Sequence, residues 1–222
     1  MNLTRFSLFY PEKRTFFLEG SEVFAFDLGS DVRPFYSRRI GIAADRTEIP
    51  IAGGVRILGT SEGTTLGAMA LRTQATETEP AAGFAVGRWK RDVLEESSVG
   101  ILAVARHEAG RTFATYGADL RYGTSEFLGE RELAVGLNVS QTYASDAADR
   151  FGLAHRLYVS YPNDLAELSA SWVHADTAFN PGVGYVRRSG FHQLSADFGI
   201  SPRPRFLPIV RQLEFKLFEM SW

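Results

Sequence analysis

The chain has no cysteine, which removes at once a disulfide framework, a thiolate metal site and a cysteine nucleophile. It has no run of the ~20 apolar residues that a membrane-spanning helix needs; the longest, Val99 to Ala105, reads V-G-I-L-A-V-A. It has no excess of positive charge: 24 Lys and Arg against 26 Asp and Glu give a net charge of −2, so nucleic acid is not an expected partner. The first ten residues, M-N-L-T-R-F-S-L-F-Y, lack the basic segment, apolar stretch and small-residue cleavage site of a secretory signal. The phosphate-cradling G-x-x-x-x-G-K-[ST] and dinucleotide G-x-G-x-x-G patterns are missing, as is the G-x-S-x-G elbow of serine hydrolases. The four histidines, His107, His155, His174 and His192, fall in separate segments without a metal-ligand spacing. No cofactor is expected.

Glycine and aromatics are abundant, with 21 Gly, 17 Phe, 8 Tyr and 3 Trp, and they punctuate a period of two. In R-T-F-A-T-Y-G-A-D-L-R-Y-G, Ala114, Tyr116, Ala118, Leu120 and Tyr122 alternate with Thr115, Gly117, Asp119, Arg121 and Gly123. Leu133, Val135, Leu137 and Val139 alternate in the same way with Ala134, Gly136, Asn138 and Ser140. Successive side chains of a strand point to opposite faces, so each segment predicts a long strand with one apolar and one small or polar face. The same reading from Ile51 onward gives an all-β chain, a long antiparallel meander of about ten amphipathic strands. Ser61-Glu62-Gly63 and Pro162-Asn163-Asp164 serve as tight turns. No helix is expected; Asp92 to Val99 is the best candidate and is short. Residues 1–50 show neither period and predict an irregular segment packed in or against the domain formed by residues 51–222.

Two architectures fit. Strands of nine to twelve residues suit a transmembrane barrel, apolar outward and polar inward, with Tyr122, Tyr143, Tyr161 and Trp172 as interfacial girdle residues and Leu120, Val135 and Leu137 facing lipid. A soluble antiparallel sheet with one solvated face, binding an apolar or carbohydrate ligand, gives the same alternation. The basic run Arg88-Trp89-Lys90-Arg91 predicts a strand end against acidic lipid headgroups.

The N-terminal run carries a further signal. P-E-K-R-T-F-F-L-E-G, then P-F-Y-S-R-R-I-G-I, G-G-V-R-I-L-G, F-A-V-G-R-W-K-R-D-V-L-E-E-S-S-V-G and F-N-P-G-V-G-Y-V-R-R, resemble a family of uncharacterised bacterial proteins. In these a carbohydrate-binding family-9-like domain precedes a domain of unknown function expected to form an outer-membrane barrel. The resemblance implies a non-enzymatic barrel in the outer membrane, in contact with its lipid, with a pore, transport or surface-scaffold role. It also implies a longer parent protein carrying an export signal and, through the preceding domain, a carbohydrate partner. The chain opens inside the motif, and a fragment of the barrel is therefore expected. The candidate site is a charge cluster, Glu12, Lys13, Arg14, Glu19, Arg38 and Arg39, read as an ion-pair network holding the N-terminal segment in the interior. Glu19 is expected to pair with Arg14, Arg38 or Arg39 away from water. A ligand or anion site is the second reading of this cluster, and carboxylate acid–base chemistry, with hydrolysis as its form, the third.

Overall fold

A computed structural model describes residues 9–43, 45–203 and 213–221. The N-terminal part contains one helical turn, α1 (Thr15–Leu18), two 3-10 turns (Ser21–Phe24 and Ser37–Arg39) and a short strand, β1 (Val32–Arg33). Helical structure is thus present where none was expected, but among the described residues only in single turns within the irregular segment. The long strands follow: β2 (Ile51–Ser61), β3 (Thr64–Thr73), β4 (Ala82–Val93), β5 (Ser97–Glu108), β6 (Arg111–Thr124), β7 (Leu133–Ala144), β8 (Phe151–Pro162) and β9 (Ala166–Ala175). After a two-residue strand β10 (Tyr185–Val186) come β11 (Phe191–Ile200) and β12 (Phe215–Ser221). Asp92 to Val99 is not a helix: β4 runs to Val93 and β5 resumes at Ser97.

Ten strands form one antiparallel sheet in the order β12-β11-β9-β8-β7-β6-β5-β4-β3-β2. The sheet is open: β2 and β12 are its two ends and are not paired with each other, so closure into a barrel is not a property of the described residues. The first hairpin is tighter than the sequence suggested. Ser61 pairs with Thr64, leaving only Glu62 and Gly63 as the link, with φ of 48° and 71°. Positive φ at both central positions matches the right-handed twist of the flanking strands. The alternation of the last strand predicts Leu213, Phe215 and Leu217 on one face and Phe218, Met220 and Trp222 on the other; the side chains of residues 217–222 lie outside the described residues.

One face of the sheet is covered and the other is bare. The N-terminal segment lies on the covered face in two apolar clusters. Phe17, Phe24 and Ile40 pack on Met69, Leu71, Phe84, Val86, Leu102 and Val104; Leu28 and Val32 pack with Ala154, Val173, Ala175, Phe179 and Phe191. Inward glycines set how closely it can approach: a Cβ at Gly117 would stand 2.7 Å from the Phe26 ring, so the ring lies against the strand backbone. The connection after β9 clamps the segment, because β10 pairs with β1 (Val32 with Val186, Arg33 with Tyr185).

The bare face carries Val55, Ile57, Leu66, Ile101, Tyr116, Leu120, Val135, Leu137, Leu153, Leu157, Trp172 and Leu194, all exposed. Period two and unbroken register put them on one side of the sheet. Asp119 and Asn138 lie on the covered face, as the alternation required, while Arg121 shares that face but is exposed at its margin. Tyr122, Tyr143 and Tyr161 stand within two residues of their strand ends, whereas Trp172 stands three residues inside β9.

Candidate functional site

The register assembles a polar layer on the covered face from residues far apart in sequence. Lys90 pairs with Gly100, Gly100 with Asp119, Asp119 with Asn138, and Asn138 with Arg156, so one transverse row crosses β4 to β8. Arg88, two residues along β4 from Lys90, reaches diagonally across to Asp119 as a two-pronged fork. Its Nη1 donates to Oδ1 at 2.5 Å and its Nη2 to Oδ2 at 3.1 Å. The planar guanidinium matches the carboxylate geometry, which makes this the strongest type of side-chain pair. Arg88 is 5% exposed and Asp119 15%. The pair lies over Gly100, where a Cβ would sit 2.6 Å from Arg88 Nη1 and 2.8 Å from the Asp119 oxygens; only glycine leaves room for it.

The basic run does not act as one patch. Strand alternation splits it: Arg88 and Lys90 turn to the covered face, and only Trp89 and Arg91 turn to the other. The layer also anchors the N-terminal segment. Arg156 pairs with Asp27, Asn138 Nδ2 donates to the Asp27 carbonyl, and the Arg156 guanidinium stacks on Tyr158 at 4.9 Å. Toward the other end of the covered face, buried Glu108 accepts from Arg106 and, at 3.1 Å, from Arg111, which also reaches Asp146 at 3.3 Å.

The expected cluster is only partly one site. Glu12 accepts from Arg14 Nε at 3.0 Å and Nη2 at 2.7 Å, from Ser37 Oγ at 2.7 Å, and from the backbone N–H groups of Lys13 and Arg14. Arg14 Nη1 donates to the Ile40 carbonyl at 2.7 Å and its guanidinium stacks on Phe17. The Lys13 side chain is exposed. Arg38 and Arg39 take backbone carbonyls, those of Pro11 and Gly184. Glu19 does not join Arg14, Arg38 or Arg39. The α1 turn and the left-handed Gly20 after it (φ 65°) set Glu19 over β2, where it meets Arg56 at 2.9 Å while 66% exposed.

Glu12 and Glu19 should therefore respond unequally to substitution. Burial alone would raise the Glu12 carboxyl, but the hydrogen bonds from Arg14, Ser37 and the two backbone N–H groups outweigh it and pull it from 4.5 to about 2. A carboxyl depressed in the folded state stabilises above its unfolded value of 4.5, and that contribution is lost as pH falls through about 2. Glu12→Gln should lower the melting temperature at neutral pH and flatten its fall across that acid window. Glu19→Ala should cost less, because Glu19 is largely solvated and Arg56, 15% exposed, keeps the Phe16 and Glu19 carbonyls as acceptors. Thermal melts of both variants from pH 7 to pH 2 check the contrast; a large loss from Glu19→Ala would restore the buried-pair reading.

Strand pairing also brings three of the four histidines together. His155 pairs with His174, and His174 with His192, with ring centroids 5.2 Å and 4.2 Å apart. They form a row on the bare face beside Trp172. His174 contacts Asp176 at 2.9 Å and the Phe191 carbonyl at 3.1 Å. Asp176 is held below the usual carboxylate range by the Leu153 N–H and by His174. Among the described residues no group of three or more His, Cys, Asp or Glu is arranged to hold a metal ion. Spacing along the chain could not reveal this row, because adjacency here depends on register across two connections.

No curated protein and no solved structure matches the chain. A family model described as a domain of unknown function, DUF5916, matches residues 1–53. This covers the P-E-K-R-T-F-F-L-E-G and F-Y-S-R-R-I-G runs and reaches the first residues of β2. The chain is an antiparallel β-protein whose N-terminal segment is similar to that domain of unknown function.

Proposed function

We propose that the chain is the membrane-embedded sheet of a barrel-type outer-membrane protein with a non-enzymatic pore, transport or surface-scaffold role. The observation that carries this reading is the polarity of the two faces. The bare face is lined along its length by exposed Val, Ile, Leu, Tyr and Trp, a far larger apolar surface than soluble monomers leave uncovered. The face that holds the N-terminal segment is polar wherever the segment does not reach: Ser160, Glu167, Ser169, Ser171, Gln193, Ser195 and Asp197 of β8, β9 and β11 all retain solvent contact. Apolar outside and wet inside is the arrangement of a transmembrane barrel. Strands β4 to β8 are 12 to 14 residues long. At ~3.3 Å per residue and a tilt near 40° they rise about 30 Å, the thickness of the hydrocarbon core. The polar exceptions on the bare face lie toward the strand ends, where a bilayer gives way to headgroups: Arg72, His107, Gln141 and the histidine row toward one end, Arg91 toward the other. The partner is then outer-membrane lipid, and the same reading carries the expectation of a family-9-like carbohydrate-binding domain elsewhere in the parent protein.

Trp89 and Trp172 turn to the bare face, so reconstitution into vesicles with brominated acyl chains should quench the tryptophan emission of the purified chain. Unquenched emission from a chain that stays in solution without detergent would favour the other reading, a soluble sheet with an apolar or carbohydrate ligand. That alternative draws on one feature, a cavity of about 540 Å³ lined by Phe16, Phe24, Phe35 and Tyr36.

A further inference from the structure

We propose that the margin of the polar layer is a binding site for a small anionic group, a carboxylate or phosphate borne by a solute. A cavity of about 430 Å³ opens there between the N-terminal segment and β4 to β8, lined among others by Arg88, Lys90, Arg121, Asn138 and Tyr158. Three carboxylates, Glu22, Asp27 and Asp119, line it as well, and the charges must be assigned before the sign of the site is known. Asp119 is taken by Arg88, and Asp27 by Arg156. Glu22 stands exposed on the N-terminal segment. On the other side, Lys90 and Arg121 make no ion pair among the described residues. The Arg121 guanidinium is steadied by the Glu96 carbonyl through one nitrogen, Nη1, at 2.5 Å, which leaves its other N–H donors open.

An anion oxygen entering the cavity would meet the Lys90 and Arg121 cations from its sides, charge-assisted bonds of the type that hold carboxylates and phosphates. The Tyr158 hydroxyl adds a neutral donor. The site is made by strand register and does not depend on whether the bare face meets lipid, so failure of the barrel reading would not remove it.

The test uses the whole purified chain at low salt, with inorganic phosphate and glucuronate as probes and glucose as the neutral control, followed by titration calorimetry. Saturable binding of at least one anion, with none of glucose, is expected. Lys90→Gln and Arg121→Gln should each weaken it about fivefold or more, the scale of one partly exposed charge contact. Both residues are exposed, so neither change leaves a buried charge behind. Arg91→Gln removes the same charge from the neighbouring position on the opposite face and should leave binding unchanged. Preference for phosphate over glucuronate, or the reverse, identifies the source of the anion. The proposal is overturned if neither anion saturates, if glucose binds as well as the anions do, or if Arg91→Gln weakens binding as much as Lys90→Gln.

Discussion

Asp119→Ala should destabilise the fold by about 3–5 kcal/mol, the cost of removing one member of a buried ion pair and leaving the other charge uncompensated. Arg88 is the reason. It is 5% exposed, lies flat over Gly100 and stacks near the Phe26 ring at 5.5 Å, so it cannot turn to water without displacing the N-terminal segment. Without the carboxylate, both forked nitrogens join Nε as donors lacking acceptors. Asp119→Asn should fall between the variant and the native chain, since an amide oxygen accepts one bond but carries no charge. Replacing both members by apolar residues, Arg88→Met with Asp119→Leu, should recover much of the loss, because the desolvation cost of the charges disappears with them. Asp164→Ala is the matched control: its partner Arg203 is 60% exposed and Asp164 itself 80%, so its removal should have little effect. Equilibrium unfolding of the native chain and the four variants in one solvent measures the series. Equal, small losses from Asp119→Ala and Asp164→Ala would show that water reaches the Arg88 pair.

Much of this fold can be read in the sequence because a period of two is a local signal. Leu120, Val135 and Leu137 declare their face through their immediate neighbours, and so do Asp119 and Asn138. What is not legible is which strand residue stands opposite which. Arg88 and Asp119 are 31 positions apart and Asp27 and Arg156 are 129 apart. Each pair exists only because every intervening turn has its particular length. One residue more in any link would send a whole strand's side chains to the other face, and the Glu62–Gly63 link is one residue shorter than its composition suggested. The histidine row was hidden for the same reason. The N-terminal charge cluster failed differently. Proximity in sequence made Glu19 an obvious partner for Arg14, but in a segment of single turns a neighbour along the chain need not be a neighbour in space, and Arg56 of β2 took its place. The R-W-K-R run shows the converse: adjacent cations separated by strand alternation into a buried pair member and an exposed charge on opposite faces.

Those placements decide how the lipid-facing reading must be tested. A charge set into the bare face should be far more damaging than one set into the covered face, but the position for comparison matters. Asn138 is buried, and its Nδ2 holds the Asp27 carbonyl. An arginine there would break the anchor of the N-terminal segment whatever the bare face meets. Ser169 is the better counterpart: it lies on the same face as Asn138, is exposed, and stands opposite Asp197, to which its hydroxyl donates at 3.2 Å, so an arginine finds both water and a carboxylate. Leu137 stands opposite Leu120 on one side and Leu157 on the other, in the middle of the apolar band, where an arginine facing the bilayer midplane costs about 2–4 kcal/mol. Leu137→Arg should therefore impair insertion and heat resistance in vesicles by that amount, while Ser169→Arg stays close to the native chain. In detergent-free buffer the order should weaken or reverse, since Leu137 is already 42% exposed and a charge there would improve solubility. Comparing the two variants in both media separates lipid from water as the medium of the bare face. If Leu137→Arg and Ser169→Arg insert equally well, the bare face does not meet hydrocarbon, and a soluble sheet becomes the better account of these strands.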